Sequence, residues 1–156
     1  KLAIAKQYGA DDLIDYRSED IRERVKALTD GRGADAVYDP VGGSAFDASL
    51  RATVPGGRIL VVGFASGTVP QIPANILLVK NLSIIGYYWG AHRKLDPSLI
   101  TNSFAELLGW FKAGKIKPHV SHVFPIEDVN IAHETLTSRK STGKVVIITS
   151  DDARDK

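Results

Sequence analysis

The sequence predicts an α/β fold built on a doubly wound parallel sheet, and three observations predict it. Two apolar strand candidates, Ala34–Asp39 and 58–63, each run straight into a small, glycine-rich turn: Pro40-Val41-Gly42-Gly43 after the first, Phe64-Ala65-Ser66-Gly67 after the second. Segments with helical periodicity lie between the strands, the alternation that parallel sheets require. Glycine at a strand's carboxyl end also lets a ligand approach the backbone, as in nucleotide-holding sheets. The first β-α unit, which should carry the phosphate-gripping glycine fingerprint, is missing, so the chain is expected to be the back part of a longer protein.

Each element has its own warrant. Leu2, Ala3, Ile4, Ala5 and Tyr8 are good helix material stopped by Gly9, with no capping residue ahead of Lys1. Leu13-Ile14-Asp15-Tyr16 reads as a short strand. Ser18-Glu19-Asp20 caps a helix in which Ile21, Val25 and Leu28 recur at spacings of four and three, and Asp30-Gly31-Arg32-Gly33 ends it. The strand at 34–39 leads to a helix over 44–52 with Phe46 and Leu50 one turn apart, and Pro55-Gly56-Gly57 turns the chain into the strand at 58–63.

Past a loop marked by Pro70 and Pro73, the apolar stretch from Leu82 to Trp89 reads as a further strand and its exit. Asp96-Pro97 opens a long helix with Ile100, Phe104, Leu107, Leu108 and Phe111 on one face and Gly114 closing it. In the tail, strands at 119–124 and 144–149 flank a helix over about 127–138 whose buried face is Val129, Ala132, His133 and Leu136. Residues 151–156 are expected to be a frayed polar end.

Composition excludes several classes. A length of 156 residues with 44% hydrophobic and 24% charged side chains suits a globular protein with a core. The 20 basic and 18 acidic residues are interspersed, which argues against a nucleic-acid or polybasic membrane surface. The absence of cysteine removes disulfides and thiolate metal sites, and the apolar runs are too short to span a bilayer. A cytoplasmic protein is the expectation.

With these pieces placed, a resemblance can be stated. The ordered set is Lys1, then Gly9-Ala10-Asp11 and Ile14-Asp15-Tyr16-Arg17, then Tyr38-Asp39-Pro40-Val41-Gly42. It continues with Gly56-Gly57-Arg58 and Val62-Gly63-Phe64, and closes with His133-Glu134, Ser138-Arg139 and Gly143-Lys144. Across its whole length the chain resembles the carboxyl half of a medium-chain dehydrogenase/reductase, most of all the zinc-independent quinone oxidoreductases. The resemblance implies a partial, Rossmann-like cofactor-binding domain over 1–113. It assigns 114–156, with their strands, to a GroES-like substrate domain.

It also implies roles for individual residues. Lys1 and Tyr16 match a lysine and a tyrosine that grip the 2′-phosphate of NADPH, an ammonium supplying charge and a phenol a donor. For Lys1 the alternative is a solvated terminal residue; Asp15 keeps NADH open, because NAD specificity uses a carboxylate on the ribose hydroxyls. Arg139 matches a basic residue reaching the same phosphate, or else balances a helix dipole. Asp39, Val41 and Gly42 would lie along the adenine side of the cofactor, the alternative being a structural turn. Val62, Gly63, Phe64 and Ala65 resemble the nicotinamide-side loop, where placement rather than side-chain chemistry matters. Tyr88 and Trp89, with Tyr87, could wall that pocket or serve as core or interface.

The strand at 82–87, apolar and free of proline and internal charge, favours a homodimer paired through this edge. His119 and His122, three apart on a strand, would point to opposite faces, and neither a G-x-S-x-G elbow nor a P-loop is present. No residue is assigned a catalytic role and none a metal. The expected function is NADPH-dependent reduction of a quinone or an activated carbon–carbon double bond by direct hydride transfer, with this chain supplying the cofactor half and by itself inactive. The alternatives are a non-catalytic dimerisation module and half of a zinc-dependent alcohol dehydrogenase.

Overall fold

The computed structural model describes residues 1–149; the expected frayed end at 151–156 lies outside them. The chain divides into two compact units, one of Leu2–Asp96 and one that takes Lys1 with the residues from Pro97 onward.

The first unit opens with α1 (Leu2–Gln7) and α2 (Ile21–Leu28), the latter capped as expected: the Asp20 carboxylate accepts the N–H of Glu23 at 2.9 Å. Between them Leu13-Ile14-Asp15 is irregular and leads into a turn at Tyr16, where a strand was expected. Strands are held by neighbours, and no described strand pairs with this segment; instead the N–H groups of Ser18 and Glu19 both donate to the Asp15 carbonyl, at 2.9 and 2.8 Å.

Three parallel strands follow in the order β1 (Ala34–Asp39), β2 (Thr53–Val61), β3 (Ser83–Gly86), with α3 (Gly43–Ala52) and α4 (Ala74–Lys80) as the crossovers. The strand expected at 58–63 starts earlier and ends earlier. Ala34 pairs with Thr53 but Ala36 pairs with Arg58, so Pro55-Gly56-Gly57 forms a bulge inside β2. Side chains alternate across the sheet in register. Val37, Ile59 and Ile84 form one row and pack with fully buried Phe46 and Leu50 of α3 and with Leu82, Ile76 and Leu77. The next row, Tyr38, Leu60 and Ile85, faces the other way, with Tyr38 69% and Ile85 46% exposed. Phe46 and Leu50, one helical turn apart, are the centre of the core, as their spacing predicts.

A 3-10 turn at Trp89–Ala91 and the short helix α5 (His92–Leu95) close the first unit. In the second, α6 (Pro97–Lys112) has Pro97 at its first position. Its apolar face is laid out as expected, but no residue of it is buried. Strands β4 (Val120–Pro125) and β5 (Lys144–Ile148) form a parallel pair joined through α7 (Val129–Thr137). Of the four residues expected on α7's buried face only Ala132 is buried, because a two-stranded sheet covers little of a helix. Gly143 is fixed by close approach: a Cβ there would stand 2.5 Å from the His119 ring.

Candidate functional site

All three strands of the first unit end level, at the row Asp39, Val61, Gly86. The candidate site is what the chain does next: Pro40 to Gly43 after β1 and Val62 to Thr68 after β2. These two loops are laced together by backbone. The Val62 N–H donates to the Asp39 carbonyl at 3.0 Å, Ala65 to Pro40 at 3.0 Å and Ser66 to Val41 at 2.9 Å, while Gly43 donates back to Thr68 at 3.1 Å. The Ser66 hydroxyl accepts the Thr68 N–H at 3.2 Å and tightens the far end. Parallel pairing thus continues past the strands and ties the two turns to each other.

Asp39 organises the first turn. It is 5% exposed, and its Oδ1 accepts the N–H groups of Val41 at 2.8 Å and Gly42 at 3.1 Å, with Oδ2 a further 3.3 Å from Gly42. A carboxylate bonding the amides two and three residues on is an Asx turn, strengthened by its charge. Gly42 is required twice over. Its φ of 71° with ψ of −158° is open only to glycine, and a Cβ would stand 2.8 Å from the Thr68 carbonyl oxygen and 3.0 Å from Phe64 Cδ1.

The lacing uses the N–H groups of Val62, Ala65 and Ser66, and Gly67 donates to Phe64 at 2.9 Å. The N–H groups of Gly63 and Phe64 make no hydrogen bond to any described residue. They stand in a rigid loop beside the half-exposed side chains of Val41 and Phe64. Such an edge offers hydrogen bonds to a flat polar group and apolar contact to its ring. The ladder continues one residue past β3, Tyr87 donating to the Val61 carbonyl at 2.9 Å, so the exit of β3 starts beside the second loop. Tyr87 packs against the His92 ring, centroids 5.6 Å apart; Tyr88 is 78% exposed and Trp89 half-exposed.

The remaining expected residues lie elsewhere. Tyr16 is 70% exposed on the turn between α1 and α2. Beside it the Asp15 carboxylate is held by Arg17 through two bonds of 3.1 Å, Nε to Oδ1 and Nη2 to Oδ2. Those bonds hold the Asp15 carboxyl below its ordinary value and push the Arg17 guanidinium up. Asp15, the carboxylate that keeps NADH open, therefore carries a cation. Lys1 and Arg139 fall in the other unit, both exposed; Arg139, at φ 57°, is the left-handed residue that terminates α7.

Sequence reasoning missed Arg17 as part of this surface, and missed Ser66 and Thr68 as the clasp of the second loop. A basic residue two positions after an aspartate in a turn is a signal that can be read; loop-to-loop pairing is not. Among the described residues no group of three His, Asp or Glu could hold a metal ion, and no helix is long and apolar enough to cross a membrane.

Comparison with known proteins follows the same pattern. The family model described as zinc-binding dehydrogenase matches residues 8–147. The quinone oxidoreductase-like protein 2 homolog of Nematostella vectensis is 51% identical over 150 residues, which cover 96% of this chain and 41% of that protein. The crystal structure of Escherichia coli quinone oxidoreductase complexed with NADPH superposes with a TM-score of 0.82 at 30% identity, covering 95% of this chain and 46% of that one. An NAD-dependent alcohol dehydrogenase structure matches at 35% identity and a TM-score of 0.76, over 96% of this chain and 41% of that one. The chain spans less than half the length of these relatives.

Proposed function

Because the chain belongs to the zinc-binding dehydrogenase family, as a quinone oxidoreductase-like member of the medium-chain dehydrogenase/reductase superfamily, we propose that it is the cofactor-holding part of an NADPH-dependent oxidoreductase. The substrate class is a quinone or an activated carbon–carbon double bond. The observation that carries the reading is the laced pair of loops at the carboxyl edge of a parallel sheet, with the Gly63 and Phe64 amides left open.

A nicotinamide fits that edge: its carboxamide needs a donor and an acceptor from fixed backbone, and its ring needs apolar cover. When bound, the nicotinamide supplies the hydride. The chain's own part is to hold and orient. Gly63 and Phe64 bond the carboxamide, Val62 and Ala65 keep that loop in place, and Phe64 covers the ring and keeps water from it. Val41 and Gly42 line the adenine side, while Asp39 acts through the turn it ties. Tyr16, with Arg17 beside it, takes the 2′-phosphate; an Asp15 already paired with a guanidinium favours a phosphate over bare ribose hydroxyls. Tyr88 and Trp89 wall the nicotinamide side. No side chain is assigned an acid–base role, and the transfer is taken as zinc-independent.

In this reading residues 1–113 belong to the cofactor domain and 114–156 to the GroES-like substrate domain. The enzyme is a cytoplasmic homodimer paired through 82–87, where β3 forms an edge of its sheet. The isolated chain is inactive. The test is calorimetric titration of the full-length protein with NADPH and NADH, followed by transfer of deuteride from labelled NADPH to a quinone. Saturable binding that is tighter for NADPH, and weakened by Tyr16→Phe, is expected. Tighter binding of NADH would overturn the cofactor assignment, and a dimer that binds neither would leave a dimerisation module instead.

A further inference from the structure

A second cleft, of about 370 Å³, lies between α2, α3 and α4 and is lined by Arg22, Arg51, Asn75, Ile76, Val79 and Lys80. It is removed from the loops described above. Arg51 stands two residues before β2 and Lys80 three before β3, at the amino edge of the sheet, whereas those loops leave the carboxyl edge. Three of its six lining residues are cationic and none is acidic. Among the described residues neither Arg22 nor Arg51 makes an ion pair with a carboxylate. Asp47, one turn before Arg51 on α3, lines the adjoining cleft and not this one.

Lys80 gives the cleft a fixed base. Its ammonium donates to the Leu50 and Arg51 carbonyls at 3.2 and 3.0 Å, so it caps the carboxyl end of α3 and is held in place. Partial burial, then the charges of Arg22 and Lys26, hold it below the ordinary lysine value. Lys26 pairs with Glu23 and does not line the cleft, but Arg22, Arg51 and Lys80 line it with no carboxylate among them, and an anion bound there relieves the repulsion between like charges.

We infer that this cleft binds a phosphate monoester, with Arg22 and Arg51 on the phosphoryl oxygens, Asn75 as a neutral hydrogen-bonding group, and Ile76 and Val79 as the apolar wall for the ester's organic part. Two arginines suit a dianion with three acceptor oxygens better than a carboxylate with one charge, because each guanidinium can bond two of those oxygens. The apolar wall selects an ester over free phosphate. The site goes beyond the oxidoreductase reading and stands or falls separately from it.

The test is nuclear magnetic resonance titration of the ¹⁵N-labelled protein with phenyl phosphate, inorganic phosphate and benzoate. Saturable shifts at the Asn75, Val79 and Lys80 amides are expected, with phenyl phosphate binding tighter than inorganic phosphate and benzoate weakest. Arg51→Gln should weaken phenyl phosphate about tenfold, and Arg22→Gln with Arg51→Gln further. Three outcomes overturn the inference: no saturable shift at these amides, benzoate equal to phenyl phosphate, or a double variant that binds like the parent. Should the variants fail to fold, the map on the parent still decides, since phenyl phosphate shifts confined to residues 39–43 and 62–68 also overturn it.

Discussion

Replacing Asp39 by alanine tests whether the first glycine turn is tied by its own strand's last side chain. The carboxylate is nearly inaccessible and holds two amides, those of Val41 and Gly42. Gly42 is buried, so its orphaned N–H costs about 1–3 kcal/mol, while the Val41 amide, half open to water, loses a net bond of about 0.5–1.5 kcal/mol. The sum, about 1.5–4.5 kcal/mol, is a large share of the roughly 5–15 kcal/mol that stabilises an ordinary domain. Asp39→Asn keeps one acceptor and should lose about half as much, in line with the weaker bond a neutral oxygen makes. Urea unfolding reads both variants, with the midpoint moving and the slope unchanged. The lacing adds a local signature: protease cleavage between Val62 and Thr68 should rise in Asp39→Ala before global unfolding does. An alanine variant within about 0.5 kcal/mol of the parent, the scatter of a neutral surface change, would refute the turn's dependence on this carboxylate, as would equal losses for alanine and asparagine.

Three further outcomes are expected. Gly42→Ala meets both a glycine-only backbone and the Thr68 carbonyl oxygen and should lose about 2–4 kcal/mol, whereas Gly67→Ala, at φ 81° with no atom within 4 Å, should lose about 1 kcal/mol; paired thermal melts compare them. The Asp15 carboxyl should titrate below its ordinary 3.8 by carbon-detected magnetic resonance and rise toward it in Arg17→Ala, which removes the guanidinium but keeps the residue-17 amide on the carboxylate. Since this folded-state value is depressed, the pair's small contribution is present above the unfolded value and disappears as pH falls through the folded one. Phe46→Ala, at a fully buried ring between α3 and the sheet, should cost about 3–5 kcal/mol in denaturant unfolding, and a loss near 1 kcal/mol would mean the core collapses around the gap.

Helical spacing placed Phe46 and Leu50 in the core, and the Asp20 cap and Pro97 start were readable because each is a local rule with a local physical cause. The glycine turns after β1 and β2 were visible for the same reason, since a left-handed backbone demands glycine whatever surrounds it. The segment from Leu13 to Tyr16 shows where that stops: its composition suits a strand, but a strand exists only beside a partner, and pairing is a property of the assembled sheet. Asp39 shows it again. Its chemistry suited a ligand or a turn equally, and only the folded chain directed both oxygens onto Val41 and Gly42. What the sequence determined by itself was therefore the order of the five strands from Ala34 onward, the core face of α3 and the residue types at the carboxyl edge, while α4 and α5 were not legible in it. Which amides are joined across the two loops, which stay open at Gly63 and Phe64, and which cations meet between α2, α3 and α4 were decided by tertiary structure, because each depends on residues far apart in sequence being brought within bonding distance.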